Sequence, residues 1–236
     1  MVNVEIKTKK LNYSAEEAYK SLRTNIQFCG EDKKVIAVTS CTPNEGKSSV
    51  TLNLAISMAQ AGKKVLLIDA DLRKSVLVGR TKVSGSVKGL THYLSKQAAM
   101  IDVICSTNVK NLHIVFAGPV PPNPAELLGG RYFREMIDSL RKVYDYILID
   151  TPPLGSVIDS AVIAQECDGA MLVIESGVIS YRFAQDVKAQ LEKTNCPILG
   201  VVLNKVDMSG NGFYGKYYGK YYGKYYGKYG KEANEA

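Results

Sequence analysis

Lys34-Val-Ile-Ala-Val-Thr-Ser-Cys-Thr-Pro-Asn-Glu-Gly-Lys-Ser48 decides the fold. Its first half, Lys34–Ser40, is a run of apolar and β-branched residues without alternation, the pattern of a strand covered on both faces. Its second half closes on Gly46-Lys47-Ser48, the end of a phosphate-binding loop. The residues after it, Lys47–Ala61, carry a helical apolar pattern that stops at Gly62. Strand, glycine-bearing turn and helix in that order aim backbone amides and a helix N-terminus at an anion.

The same strand pattern recurs at Lys64–Asp69, Tyr144–Asp150, Ala170–Glu175 and Ile198–Asn204, with helical segments such as Arg131–Lys142 between. Strand–helix alternation predicts an α/β, doubly wound, mostly parallel sheet with helices on both faces, a P-loop nucleotide-hydrolase architecture. An early helix is expected from a capping box at Ser14 and Glu17, running to about Phe28. Asn123-Pro124 reads as an N-cap with proline in the first turn. Residues 1–209 form the expected globular domain and residues 210–236 a flexible tail.

The chain has 236 residues and a net charge of +7. Five lysines and two glutamates beyond Gly210 give the tail +3, leaving a mildly basic body at +4. The five cysteines (29, 41, 105, 167, 196) are scattered, with no CxxC pair, which argues against a zinc or redox site. Residues 1–11 alternate polar and apolar residues and lack the apolar core of a signal peptide. No run approaches the ~20 apolar residues of a membrane span.

Within the loop, Thr42, Pro43, Asn44, Glu45, Gly46, Lys47, Ser48 and Ser49 are the candidate nucleotide-binding residues. Gly46 permits close backbone approach, Lys47 reaches the β- and γ-phosphates, and the Ser48 hydroxyl ligates Mg2+. Cys41 stands where the common pattern has its first glycine. Two strands end in carboxylates, at Asp69-Ala-Asp71-Leu-Arg73 and at Asp150-Thr-Pro-Pro153. Strand carboxyl ends are where open α/β sheets bind ligands. An Asp after an apolar strand holds Mg2+, and a further carboxylate can take the proton of an acceptor hydroxyl. Lys47, Asp69, Asp71 and Asp150 are therefore the catalytic candidates, with Ser48, Asp69 and Asp150 at the metal. Arg73 either neutralises phosphate or pairs with Asp71. Asn204-Lys-Val-Asp207 fits the guanine-reading NKxD pattern, but an Asn there also reads adenine, so a GTPase stays open.

The tail repeats Tyr-Gly-Lys units, which place Tyr214, Tyr217, Tyr218, Tyr221, Tyr222, Tyr225, Tyr226 and Tyr229 along it. A glycine every fourth residue and no aliphatic residue deny it a core or a stable helix. Its tyrosines suit three roles: phosphoacceptors, a stacking platform for single-stranded nucleic acid, or a low-complexity linker.

Taken together, Ser40–Ser48 (SxxPxEGKS), Leu66–Arg73 (LLIDADLR), Ile147–Pro153 (ILIDTPP), Gly118–Leu128 (GPVPPNPAELL) and the tyrosine-rich tail resemble the bacterial tyrosine kinases of capsule and exopolysaccharide operons, specifically the separate cytoplasmic kinase chain of Gram-positive systems. The resemblance covers nearly the whole chain. It implies a MgATP-dependent kinase that phosphorylates its own tail tyrosines, in trans within an oligomer, and regulates polysaccharide synthesis and export. By the matching motifs, Lys47 and Ser48 bind phosphate and Mg2+, Asp69 and Asp150 shape the metal site, and Asp69 or Asp71 activates the tyrosine hydroxyl. It also implies a ring-like homo-oligomer built through an ExxRxxR motif, here Glu17, Lys20 and Arg23, with lysine at the first arginine position. A separate transmembrane activator, an opposing tyrosine phosphatase and recruitment to the inner face of the plasma membrane follow from the same resemblance. No nucleic-acid partner is expected. The rival is a regulatory ATPase switch like the septum- and plasmid-positioning ATPases. Their loop carries an extra lysine near its start, where this chain has Thr42.

Overall fold

The computed structural model describes residues 2–7, 11–83 and 86–207. The expected phosphoacceptors Tyr214, Tyr217, Tyr218, Tyr221, Tyr222, Tyr225, Tyr226 and Tyr229 all lie outside the described residues, as does the expected domain boundary at residue 209.

The expected strands are present: three lose one or two residues at their start, one gains Gly169, and the last has the expected bounds. The first loop strand is β2, Val35–Ser40, and its neighbours in sequence are β3, Val65–Asp69, then β7, Tyr146–Asp150, β8, Gly169–Glu175, and β9, Ile198–Asn204. Four short strands join them: β1 (Asn3–Ile6), β4 (Thr81–Val83), β5 (Ile104–Thr107) and β6 (Leu112–Val115). The nine form one sheet in the order β4-β1-β5-β6-β3-β7-β2-β8-β9. From β6 to β9 every pairing is parallel; the antiparallel pairs are β5–β6 and β1–β4.

Alternate residues of each central strand point to opposite faces, and both faces are apolar. Val35, Ala37, Leu66, Ile68, Ile147 and Ile149 enter one core. Ile36, Val38, Val65, Leu67 and Leu148 enter the other. The first core is roofed by short helices α3 (Leu90–Leu94), α4 (Met100–Val103), α5 (Pro124–Leu128), α6 (Arg131–Leu140), α7 (Asp159–Ala164) and α8 (Tyr181–Glu192). The second lies under α2, Lys47–Gln60, with α1, Tyr13–Phe28, packed outside it. Gly62, just past α2, is left-handed at φ +86°, as the expected stop requires. Residues 3–6, whose alternation is visible in the sequence, form β1 with alternate residues buried.

One sequence expectation is corrected and a second holds in position. The cap of α1 is Asn12, not Ser14: the Asn12 side chain accepts from the Ala15 amide at 2.9 Å. Ser14 and Glu17 lie inside the helix, and Glu17 pairs with Lys20 at 2.7 Å instead of reaching back to Ser14. Asn123 does precede Pro124 at the start of α5, but its side chain makes no cap bond; its amide donates to Glu126 Oε2 at 2.7 Å. Only Ile26 of α1 is buried. Arg23 anchors that helix, its Nη1 donating to the Ser57 carbonyl at 2.8 Å near the end of α2. A cation is favoured there by the helix dipole.

Candidate active site

Because β2, β7 and β3 are adjacent and parallel, their carboxyl ends open on one rim. The register sets Asp150 opposite Val38 on β2 and opposite Asp69 on β3, so two carboxylates far apart in sequence become direct neighbours. α2 rises from the end of β2 beside them, its N-cap being Gly46 at φ +88°. Its first amides have no partner within the helix and are the donors of an anion site.

Lys47, Ser48, Asp69, Asp71 and Asp150 are all buried and converge on this rim. Lys47 Nζ lies 3.3 Å from Asp150 Oδ1, 3.7 Å from Asp71 Oδ2 and 3.2 Å from Ser48 Oγ. Asp69 is closed in: its carboxylate accepts from Ser75 Oγ at 2.5 Å and from the Asp71 amide at 3.3 Å. Burial, then the neighbouring Asp150 carboxylate, push Asp69 up to about 8. Asp150 is also raised by burial, against the pull of the Lys47 ammonium. Asp71 keeps slight exposure and accepts from the Lys74 amide at 2.9 Å.

The donor set of Ser48, Asp69, Asp71 and Asp150 is all oxygen, which suits Mg2+. Among the described residues no group of three or more His, Cys, Asp or Glu forms a metal cage of its own. Mg2+ does not need one, since it keeps waters and takes further oxygens from substrate phosphates.

The floor under Asp150 is tightly tied. The Pro152 carbonyl accepts from Thr39 Oγ1 at 2.9 Å, from Thr151 Oγ1 at 3.4 Å and from Ser160 Oγ. Thr151 Oγ1 also donates to the Val38 carbonyl at 3.0 Å. Hydroxyls from β2, from the end of β7 and from α7 therefore meet on one oxygen.

The remaining expected residues divide. Cys41 is fully buried and is not left-handed; the left-handed residues of the loop are Asn44 at φ 69° and Gly46. Position 41 therefore needs no glycine here. Gly155 packs against the loop start, where a Cβ would fall 2.2 Å from the Cys41 carbonyl oxygen. Burial lifts the Cys41 thiol to about 11, so it is inert. Ser49 accepts at 2.7 Å from Arg80 Nη1, a residue that lies outside every motif. Thr42, Asn44, Glu45 and Asn204 are joined by hydrogen bonds of their own, and Pro43 is exposed. Glu17 and Lys20 are held by each other, away from the site, and Arg23 by Ser57.

Arg73 does not pair with Asp71, one of its two expected roles. Its guanidinium forks onto Asp159, Nε to Oδ2 at 2.7 Å and Nη2 to Oδ1 at 2.9 Å. Asp159 is completely buried at the first turn of α7, whereas Arg73 is 42 % exposed. Removing the arginine strands a buried carboxylate. Arg73→Ala should lower unfolding stability by about 2 kcal/mol, below the 3–5 kcal/mol of a fully buried pair because water reaches one partner. A urea titration checks this; a change under about 0.5 kcal/mol would show that the pair contributes little.

Comparison with known proteins bears on the same motifs. The family described as AAA domain matches residues 33–193. A tyrosine-protein kinase, CpsD of Streptococcus agalactiae, is 48 % identical over 221 residues, covering 92 % of this chain and 96 % of CpsD. The chain belongs to the bacterial tyrosine-kinase family of capsule synthesis. Its backbone agrees: the crystal structure of the chimerical protein CapA2B2 superposes with a TM-score of 0.78 at 31 % identity, over 87 % of this chain and 94 % of that one. The septum-site-determining protein MinD of Pyrococcus horikoshii, complexed with Mg-ADP, follows at a TM-score of 0.63 and 30 % identity, over 75 % and 72 % of the two chains. This kinase family and the septum-positioning ATPases share one P-loop fold, and the fit is closer on the kinase side. No described helix is long and apolar enough to cross a membrane.

Proposed function

We propose that the chain is an ATP-dependent protein-tyrosine kinase that phosphorylates the tyrosine cluster of its own C-terminus, between neighbouring copies, and so regulates capsular or exopolysaccharide synthesis. The observation that supports it is the convergence of Lys47, Ser48, Asp69, Asp71 and Asp150 on one rim, in a chain that carries eight tyrosines in its tail repeat.

The chemistry follows from the geometry. Without nucleotide, Lys47 serves as counter-ion to Asp150 and Asp71. With ATP bound, the same ammonium turns to the β- and γ-phosphate oxygens, and the amides of α2 complete the cradle. Ser48, Asp150 and Asp69 would hold Mg2+, which would supply positive charge to offset that of the phosphates. The tyrosine oxygen forms a bond to the γ-phosphorus, the bond from that phosphorus to the β–γ bridging oxygen breaks, and ADP leaves. Asp71 takes the phenolic proton: it faces the Lys47 ammonium and keeps some exposure, whereas Asp69 is sealed behind Ser75.

Residues 210–236 lie outside the described residues; a flexible glycine-rich segment of that length would span roughly 25–30 Å, the scale of a transfer between adjoining copies. Copies associate through α1, and the exposed Glu17–Lys20 pair, rather than the anchored Arg23, is its free charged face. A transmembrane activator recruits the chain to the inner face of the plasma membrane, and a phosphatase resets the tail.

The test is incubation with Mg2+ and ATP, with and without membranes from the source cell, followed by mass spectrometry. Phosphotyrosine between Tyr214 and Tyr229 is the expected result. ATP turnover with an unmodified tail, membranes included, would overturn the kinase reading in favour of the ATPase switch.

A further inference from the structure

Glu45 puts a carboxylate inside a loop meant for anions, and that is electrostatically wrong unless its charge is used elsewhere. The side chain is in fact turned away and 1 % exposed. Its Oε2 accepts from the Thr42 amide at 2.6 Å, across the turn of the loop, and its Oε1 from the Glu175 amide at 3.1 Å, at the end of β8. Charge-assisted bonds to amides are among the stronger hydrogen bonds available.

The end of β9 grips the same turn. Asn204 Nδ2 donates to the Glu45 carbonyl at 2.8 Å, and Lys205 Nζ donates to the Asn44 carbonyl at 2.8 Å. Lys205 also pairs with Glu175 Oε2 at 2.7 Å, which closes a ring through β8. The approach is close enough that a Cβ on Gly46 would fall 2.2 Å from Asn204 Nδ2. Between these grips lie the two left-handed residues, Asn44 and Gly46. Asparagine tolerates that region, and glycine adopts it freely, so the turn closes without a bulky side chain in the cradle.

We infer that Glu45 is a positioning residue. With Asn204 and Lys205 it braces the phosphate loop against the ends of β8 and β9, setting the amides that receive phosphate. Glu45 does not touch nucleotide; it acts through the loop. This inference rests on the reading of the loop as the ATP phosphate site.

The full-length chain tests it, by calorimetric binding of MgATP and of adenosine. Glu45→Gln replaces one acceptor oxygen with a donor and leaves a buried amide unsatisfied. MgATP binding should weaken roughly tenfold, while adenosine, which has no phosphate to place, should bind as before. Lys205→Met, at an exposed position, should weaken MgATP about threefold with adenosine unchanged, and it serves if Glu45→Gln fails to fold. Equal losses for MgATP and adenosine would mean a merely structural role and would overturn the inference. Full MgATP affinity in both variants would do the same. If the unaltered chain binds no MgATP, the ATP reading itself falls, and the inference with it.

Discussion

Lys47→Met should abolish tail phosphorylation, by about a thousandfold or more, and should also destabilise the nucleotide-free fold. The first effect is the loss of the cation that meets the transferring phosphoryl group; a loss of about 4 kcal/mol of transition-state stabilisation corresponds to that factor. The second follows from the counter-ion role. Asp150 and Asp71 face the ammonium from 3.3 and 3.7 Å inside a buried site. Removing one partner of such a cluster costs about 3–5 kcal/mol while the survivors stay ionised. Acid relieves this, because the stranded carboxylates take up protons. The melting point of Lys47→Met should therefore fall well below that of the unaltered chain at about pH 8 and approach it near pH 5. Phosphotyrosine within about tenfold of the unaltered chain would remove Lys47 from the phosphate site. A melting difference that does not vary with pH would remove it as counter-ion.

The second large effect runs the other way. Asp69→Asn should raise the melting temperature of the nucleotide-free chain at about pH 8 while reducing kinase activity by about a hundredfold or more. An aspartate in an unfolded chain titrates near ~3.9. In the fold, Asp69 is pushed up to about 8 by burial and by Asp150. Between those values the native chain keeps a proton that the unfolded chain has released. Stability therefore declines as pH rises from about 4 to 8. An amide has no such dependence, and it can still pair with the Ser75 hydroxyl. The expected gain is largest at the alkaline end and shrinks to nothing near about pH 4. A melting series from about pH 4 to 8 checks the slope. An unchanged or lower melting point at the alkaline end would show that Asp69 is not strained by its burial.

Much of this site is legible in the sequence because its parts sit at the ends of long apolar runs. Val35–Ser40, Val65–Asp69 and Tyr146–Asp150 are buried on both faces, so their composition announces them, and the residue that follows or ends each run falls on the rim. The trimmed ends, Lys34, Lys64 and Tyr144-Asp145, are residues whose propensity does not mark the last ladder bond. The outer strands are not legible in the same way. β4, β5 and β6 are only three or four residues long, and β5 and β6 pair antiparallel, so no continuous run betrays them. The misplaced cap on α1 has a plain cause: Asn12 and Ser14 are both good caps two residues apart, and the glutamate that favoured Ser14 found Lys20.

Long-range partners are the other gap. Arg73 stands 86 residues from Asp159, and nothing in the local motif points to it. Glu45 lies inside the loop motif, but a motif records that a residue is present and not which way it faces. The need for glycine at 155 is legible only once Cys41 and Gly155 are seen in contact.

The knot of hydroxyls on the Pro152 carbonyl carries a mechanical consequence. It fastens β2, the end of β7 and α7 at a single point directly beneath Asp150. That half of the rim is an anvil: it receives force without yielding. The opposite bank, the stretch from Asp71 to Val83, is lashed to the same block, because Arg73 forks onto Asp159 of α7 and Arg80 reaches Ser49 of α2. There the backbone alternates exposed residues with the buried Leu72, Leu77 and Thr81, and makes a single 3-10 turn before it reaches the sheet edge.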